Sequence, residues 1–387
     1  MQTITTTEAL AAFCGRARRA GFVTVDTEFM RESTYWPILC LLQIATEYEA
    51  VLIDPIAGNM EFTALFALLA DPKVVKVFHA AKQDIEIFVK MSGQAPTPVF
   101  DTQVAAAVCG FGDSVAYDAL VREITGDHID KSSRFTDWAR RPLSERQLTY
   151  ALADVTHLRP VYEFLGARLD ELGRRGWVED EMAGLTRPAL YQTRPEDAWK
   201  RLKMKVSKPA DLAVLQEVAA WRERRAQAQD VPRGRVIKDD AIYEIAQQQP
   251  LDADAFERLR SFSRGFGRSE AAAQIIDIVK QVRARDKDSL PEVPRRARGP
   301  SPKGAVGELI RVLLKSVAEE NGVASRVIAT SDEIDALVLD DDADVRPLDG
   351  WRRELFGDKA LAIKHGRLAL GANRAGVVPL EVDLSPK

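Results

Sequence analysis

Asp26 and Glu28 stand one residue apart in Val25-Asp26-Thr27-Glu28-Phe29-Met30, at the end of an apolar stretch that begins at Phe22. In an extended strand alternate side chains share a face, so the two carboxylates lie about 6.6 Å apart along one side, at ~3.3 Å per residue. Like charges held that close raise each other's pKa unless a cation lies between them. Two more acids follow. Asp84 falls one turn into a helix predicted after a strand at 74–79, and Asp154 closes Tyr150-Ala151-Leu152-Ala153-Asp154. Spacing of i, i+4 places Tyr150 and Asp154 on one helical face, about 6 Å apart along the axis. The small and apolar residues between them imply close packing, and a buried acid beside a phenol needs a partner. Four carboxylates without a cysteine or histidine form an oxygen-only donor set, which suits Mg²⁺ or Mn²⁺. Two such ions ~3.5–4 Å apart can clamp the attacking and leaving oxygens of a phosphodiester. A tyrosine beside the attacking water could orient it, although a phenol of pKa about 10 is a poor base at neutral pH. Taken singly, each acid would serve equally well as a cap, a salt-bridge partner or a solvated charge; order and spacing carry the reading.

The elements that must position these groups alternate between strand and helix over roughly residues 1–190. Thr5 with Glu8 forms a capping box for a first helix that Gly21 would close. Strands at 22–28, 39–45 and 50–54 suit an antiparallel meander. Helix 61–70, strand 74–79, helix 81–91, an extended segment at 99–102 and helix Tyr117–Thr125 come next. Ser144 with Gln147 is a second capping box, opening a long helix to about Arg174 that Pro160 must kink or split. The implied architecture is a mixed sheet flanked by helices. Beyond residue 190 the strand signal disappears. Residues 210–285 and 304–372 read as two all-helical stretches, similar in length but without a clean periodic match, joined by the Pro- and charge-rich Asp286–Lys303.

With 387 residues, 46% apolar and 29% charged, two or three globular domains are expected. No run approaches a membrane span of ~20 apolar residues, and the start, MQTITTTEAL, lacks a secretory pattern, so a cytoplasmic protein is expected. Cys14, Cys40 and Cys109 are odd in number and scattered, which argues against a disulfide frame or a zinc site. The net charge of −4 conceals segregation: residues 199–235 hold ten Lys/Arg against four Asp/Glu, and 331–358 hold ten acids against three bases. The first block, with Lys200, Arg201, Lys203 and Lys205, is either a nucleic-acid grip or a solvated helix face.

DTE on the first strand, an acid in HAAKQDIEIF and YALAD on a late helix resemble the three motifs of the DEDD exonucleases, in the variant whose tyrosine stands four before the last acid. Within that superfamily FDTQVAA at 100–106, Asp130-Lys131-Ser132, DWARRPL at 137–143 and SERQLTYALADV at 144–155 resemble the ribonuclease D family, over most of residues 20–165. Residues 215–236, LQEVAAWRERR through VPRGRV, resemble the HRDC module, and 304–372 do so faintly. The resemblance implies an α/β fold: a ribonuclease H-like mixed-sheet exonuclease domain at 1–200, then two all-α HRDC-type domains at 205–287 and 304–375, with a linker at 288–303. It further implies a two-metal 3′→5′ exoribonuclease that releases 5′-mononucleotides from RNA, tRNA precursors with 3′ trailers above all, and acts as a monomer. Asp26, Glu28 and Asp154 would ligate the ion that activates water, Asp26 would reach the second ion with help from Asp84, and Tyr150 would position the nucleophile.

Around this centre several residues admit two readings. Phe29, Met30, Tyr35 and Trp36 either wedge and stack terminal bases or pack in the core. Gln43, polar within an apolar strand, either meets a terminal ribose or is a core amide. His79 contacts substrate or is structural, and Asp101 hydrogen-bonds near the metals without ligating them. Lys131 and Arg134 are phosphate contacts or solvated loop charges. The basic block would hold RNA by counterion release, while the acidic module would pack against the rest of the chain, close a clamp around the site and touch RNA little. A DNA exonuclease on the same fold, since nothing in the motifs reads a 2′-hydroxyl, and an inactive nucleic-acid-binding protein are the rival readings.

Overall fold

The apolar runs predicted as strands come together in one six-stranded mixed sheet of order β1-β4-β3-β2-β5-β6. Its strands are β1 (Gln2–Ile4), β2 (Phe22–Met30), β3 (Ile38–Ala45), β4 (Ala50–Ile53), β5 (Val75–Phe78) and β6 (Val99–Asp101). The structure is a computed structural model that describes residues 2–203, 206–293, 304–374 and 376–382. β3 and β4 are antiparallel, as a meander requires, while β2, β5 and β6 run parallel. β3 reads as an apolar run, interrupted only by Gln43, because every residue after Ile38 is buried. β1, parallel to β4, was not legible in the sequence: three residues are too few for alternation to register.

The chain divides into two units, one of Met1–Glu28, Cys40–Pro188 and Ala297–Lys387, the other of Phe29–Leu39 and Ala189–Arg296. In the first, helices α1 (Thr7–Ala17), α2 (Thr63–Leu69), α3 (Lys82–Ser92), α4 (Thr102–Cys109) and α5 (Tyr117–Thr125) follow the strands. The cap of α1 is Thr6, whose hydroxyl accepts from the Ala9 N–H at 3.3 Å, so the predicted Thr5 box lies one residue off, and the helix ends at Ala17 instead of Gly21. The Ser144–Gln147 box forms as predicted and opens α6 (Glu145–Thr156). Pro160 splits the long helix there: it has no N–H for the Thr156 carbonyl, and α7 (Leu158–Glu171) starts afresh. Near that break the Thr24 hydroxyl donates to the Val155 carbonyl at 2.7 Å and the Tyr117 hydroxyl to the Asp154 carbonyl at 2.5 Å. These bonds tie the end of α6 to β2 and α5.

After α8 (Arg175–Leu185), the same unit takes in helices Ala305–Asn321, Ser331–Leu339 and Asp358–Lys364. It ends in an antiparallel hairpin, β7 (Leu368–Asn373) and β8 (Gly376–Glu381), which corrects the expectation that strands cease after residue 190. Gly371 and Pro379 hide its strand signal, and no residue of either strand is buried enough to show a clear alternation. The C-terminal helices are fastened to the sheet portion of their unit. Trp351 stacks on Trp177 with ring centroids 4.1 Å apart, Arg352 pairs with Glu181, and the Arg174 guanidinium donates to the carbonyls of Val108 and Asn321. Gly110, at φ +97°, lies so near Gly322 that a Cβ would sit 2.6 Å from its carbonyl oxygen. Trp351→Ala is therefore expected to cost about 3–5 kcal/mol, read as a lower urea midpoint, because it empties a buried site and exposes Trp177. Four of the ten acids of 331–358 are ion-paired locally: Glu333 with Arg346, Asp335 with Arg311, Asp341 with Lys364 and His365, and Asp358 with Arg353.

In the second unit α9 (Pro209–Gln229), α10 (Arg233–Val236), α11 (Asp239–Gln248), α12 (Ala253–Glu257) and α13 (Glu270–Arg283) enclose a core that includes Leu212, Val218, Ile242, Phe256 and Ile275. The segment 29–39 belongs to this unit, and Tyr35 is its anchor. The buried Tyr35 phenol bonds Glu223 and receives the Arg233 guanidinium at 2.7 Å, while Asp230 accepts from the backbone N–H groups of Tyr35 and Trp36. Tyr35 is thus a buried hydrogen-bonding residue, not a base-stacking one. Cys14, Cys40 and Cys109 are all free thiols, and among the described residues no helix is long and apolar enough to cross a membrane.

Candidate active site

β2 brings Asp26 and Glu28 to one face, and α6 places Asp154 against them. One carboxylate oxygen from each lies within 4.8 Å of the other two. Asp154 is buried at 7% exposure, while Asp26 and Glu28 are half-buried. The fourth acid stands slightly apart: Asp84, in the first turn of α3 and equally buried, takes a hydrogen bond from the Thr27 hydroxyl. The Tyr150 hydroxyl interacts with the Asp154 carboxylate one turn away, and its ring lies 6.1 Å from that of the buried Trp138.

The electrostatics are those of an anion cluster short of positive charge. Burial pushes Asp26 up to about 7, partly offset by the Thr27 N–H. Burial, then the charges of Asp26, Asp154 and Asp84, pushes Glu28 up to about 10, against the pull of Arg134. Asp84 and Asp154 are also held well above the usual carboxylate range, by burial first and the charge of Asp26 second. Such a set binds a proton or a cation. Oxygen-only donors converging within 4.8 Å fit a hard divalent ion, so the residues present suit the metal that the motifs imply. Tyr150 is driven far above the phenol range, by burial and then by Asp154, Glu28 and Asp26, and stays a proton donor.

Other predicted residues divide between support and correction. Asp101 caps α4 through the Gln103 N–H and accepts from the N–H groups of Ala80 and Ala81, where Ala80 takes φ +59°. It thereby fixes the turn that starts α3 and aims Asp84. His79 is structural: Nδ1 meets the Thr102 hydroxyl at 3.0 Å and Nε2 the Val115 carbonyl at 3.2 Å, leaving no nitrogen for substrate. Gln43 is 0% exposed in β3, a strand covered on both faces, so it does not present itself to a ribose; among the described residues its amide has no hydrogen-bond partner. Lys131 is paired with Asp118 at 2.5 Å. Lys200 pairs with Asp197, Arg201 bonds the Thr193 hydroxyl, Lys203 is exposed, and Lys205 lies outside the described residues. Phe29 and Met30 end β2 half-buried. Sequence reasoning missed Thr27, Thr24 and Tyr117. By the alternation of β2, Thr24 shares the face of Asp26 and Glu28 and Thr27 lies on the opposite one, but their partners, Val155 and Asp84, are 131 and 57 residues away; Tyr117 reaches Asp154 across 37 residues and gives no local sign.

Residues 1–170 match the family described as 3′-5′ exonuclease, and residues 211–279 match the HRDC domain. Ribonuclease D of Nitrobacter hamburgensis is 50% identical over 381 residues, covering 98% of this chain and 100% of the relative. Ribonuclease D of Gluconacetobacter diazotrophicus is 49% identical over 370 residues, 96% of this chain and 94% of its own. The crystal structure of Escherichia coli RNase D, an exoribonuclease involved in structured RNA processing, superposes with a TM-score of 0.84 at 29% identity, covering 94% of this chain and 98% of that one. With full-length likeness added to a converging acid cluster on a mixed sheet, the chain belongs to the ribonuclease D family, the metal-dependent 3′→5′ exoribonucleases.

Proposed function

We propose that this 3′→5′ exoribonuclease trims the 3′ trailers of tRNA precursors and other small structured RNAs, as a cytoplasmic monomer that uses two divalent ions, Mg²⁺ or Mn²⁺. The observation that carries the reading is the triplet Asp26, Glu28 and Asp154 with Tyr150 one helical turn before its last member. Asp26, Glu28 and Asp154 would hold one ion, and Asp26 with Asp84 the other. When bound, such ions lower the pKa of a water and take charge from the leaving 3′ oxygen. The protein's own part is to orient. Thr27 fixes the Asp84 carboxylate, Asp101 fixes the turn before it, and Tyr150 offers a hydroxyl donor beside the acid cluster, where it would orient the attacking water.

We assign the exonuclease portion to 1–200, a first HRDC domain to 205–287, a linker to 288–303 and a diverged HRDC-like domain to 304–375. In this division the basic block holds RNA, and the C-terminal helices, with an excess of acids over bases in 331–358, support the fold with little RNA contact. Replacing Lys200, Arg201, Lys203 and Lys205 together by alanine is expected to weaken tRNA affinity roughly 10-fold or more at low salt and to flatten the salt dependence by up to ~3 in log–log slope. Fluorescence anisotropy across a salt series checks this; an unchanged slope would return the block to a solvated surface.

The decisive experiment offers a 3′-extended tRNA labelled at its 5′ end, and a single-stranded DNA of equal length, with Mg²⁺ or Mn²⁺. A ladder shortening from the RNA 3′ end, ceasing at the mature terminus, is the expected result. Shortening of DNA alone would overturn the substrate while keeping the chemistry, and digestion of neither would overturn both.

A further inference from the structure

Among the described large apolar side chains Phe135 is the most exposed, at 90%. The loop around it is not loose. Ile129, Ser133 and Trp138 are buried anchors on either side of the ring, a 3₁₀ turn runs over Lys131–Ser133, and the Thr136 N–H and hydroxyl both bond the Ser133 carbonyl. Gln147 of α6 donates to the Thr136 hydroxyl at 3.1 Å and to the Asp137 carbonyl at 3.4 Å. Three residues after Phe135, Trp138 packs beside Tyr150. The loop is therefore pinned to the helix that carries Tyr150 and Asp154, and it holds an aromatic ring in water at a cost that burial would recover.

The charges around it are sorted. Lys131 is taken by Asp118 and Arg146 by Asp130, whereas the Arg134 guanidinium lies over the Phe135 ring, 5.1 Å from its centroid. Arg134 also stands near enough to the acid cluster for its charge to be felt at both Glu28 and Asp154. A cation close to the site where a phosphodiester is cut, with an exposed aromatic face beside it, has the two complements of a nucleotide: charge for the phosphate and a π-face for the base.

Resting on the exoribonuclease reading, we infer that Arg134 and Phe135 form a binding site for a nucleotide of the single-stranded 3′ end, Phe135 stacking on its base and Arg134 meeting its phosphate. Stacking reads no base identity, so the site serves any sequence. It also favours an unpaired end, because a base in a duplex has both faces covered by its neighbours.

The test measures binding apart from hydrolysis, by anisotropy of a labelled 12-nucleotide single-stranded RNA on the full chain carrying Asp26→Asn. Adding Phe135→Ala is expected to raise Kd about 5- to 100-fold. Phe135→Trp should retain affinity, and Phe135→Leu, apolar but without a π-face, should stay weak. Arg134→Gln should lower the log–log salt slope by ~0.7, one phosphate contact on a single strand. An alanine variant within twofold of its parent, or full rescue by leucine, would overturn the proposal. Digestion by the otherwise unaltered chain is scored separately, so loss of this site and loss of the exonuclease reading give different results.

Discussion

Asp26→Asn is expected to abolish removal of nucleotides from an RNA 3′ end, by ~10³-fold or more, while making the metal-free protein more stable at neutral pH. Asp26 lies at the centre of the acid cluster: its charge raises Glu28, Asp84 and Asp154 together. Removing that charge removes a ligand proposed for both ions, and it also removes the repulsion that the metal-free fold must bear. A substitution that only damaged packing would lower activity and stability together. Opposite signs identify a group kept for chemistry against the interest of the fold.

The pH dependence follows from the same shifts. Asp26 is raised from 3.8 to about 7 and Glu28 from 4.5 to about 10. A carboxyl whose folded pKa is raised contributes stability that is fully present below its unfolded pKa and lost as pH rises through its folded one. In EDTA the thermal midpoint should therefore fall between about pH 5 and 9. Asp26→Asn should flatten the lower part of that fall, and saturating Mg²⁺ or Mn²⁺ should reverse it by linkage, since the ion binds only the folded cluster. A metal-free midpoint that climbed with pH over this range would contradict the assignment.

How much of this was legible depended on whether a role was local. Asp26 with Glu28 and Tyr150 with Asp154 are set by the two-residue and near-four-residue periods of strand and helix, so the sequence carried both pairs. The Ser144 box and the break at Pro160 are likewise local, and both formed. What escaped was long-range. Gln43 invited a substrate contact because it is polar, but the covering of β3 on both faces is decided by helices far away in sequence. His79 looked available until Thr102 and Val115 took its two nitrogens. Tyr35 offered a stacking ring, and only the fold shows Glu223, 188 residues on, accepting its hydroxyl. Of the acidic block, Asp335 and Asp341 find partners in other helices, Arg311 and Lys364, which no local pattern announces.

Tyr150→Phe should slow hydrolysis ~10²–10⁴-fold while leaving RNA affinity and the unfolding midpoint close to the wild type, and it should not delete a limb of the pH–rate profile. In the metal-free protein burial and the charges of Asp154, Glu28 and Asp26 hold the phenol's proton on, so orientation, not proton removal, is the role assigned to it. Its hydroxyl is a donor held one turn from the Asp154 carboxylate, which is itself buried on α6. What phenylalanine removes is one hydroxyl donor, with the ring still packed beside Trp138. The loss should therefore fall on kcat with KM little changed, and the same fractional loss should be seen at pH 7 and pH 9. If instead the variant lost activity only at the higher pH, the tyrosine would be titrating in the wild type and acting as a base. A loss confined to KM would make it a substrate contact, and would move the orientation of the attacking water to another residue.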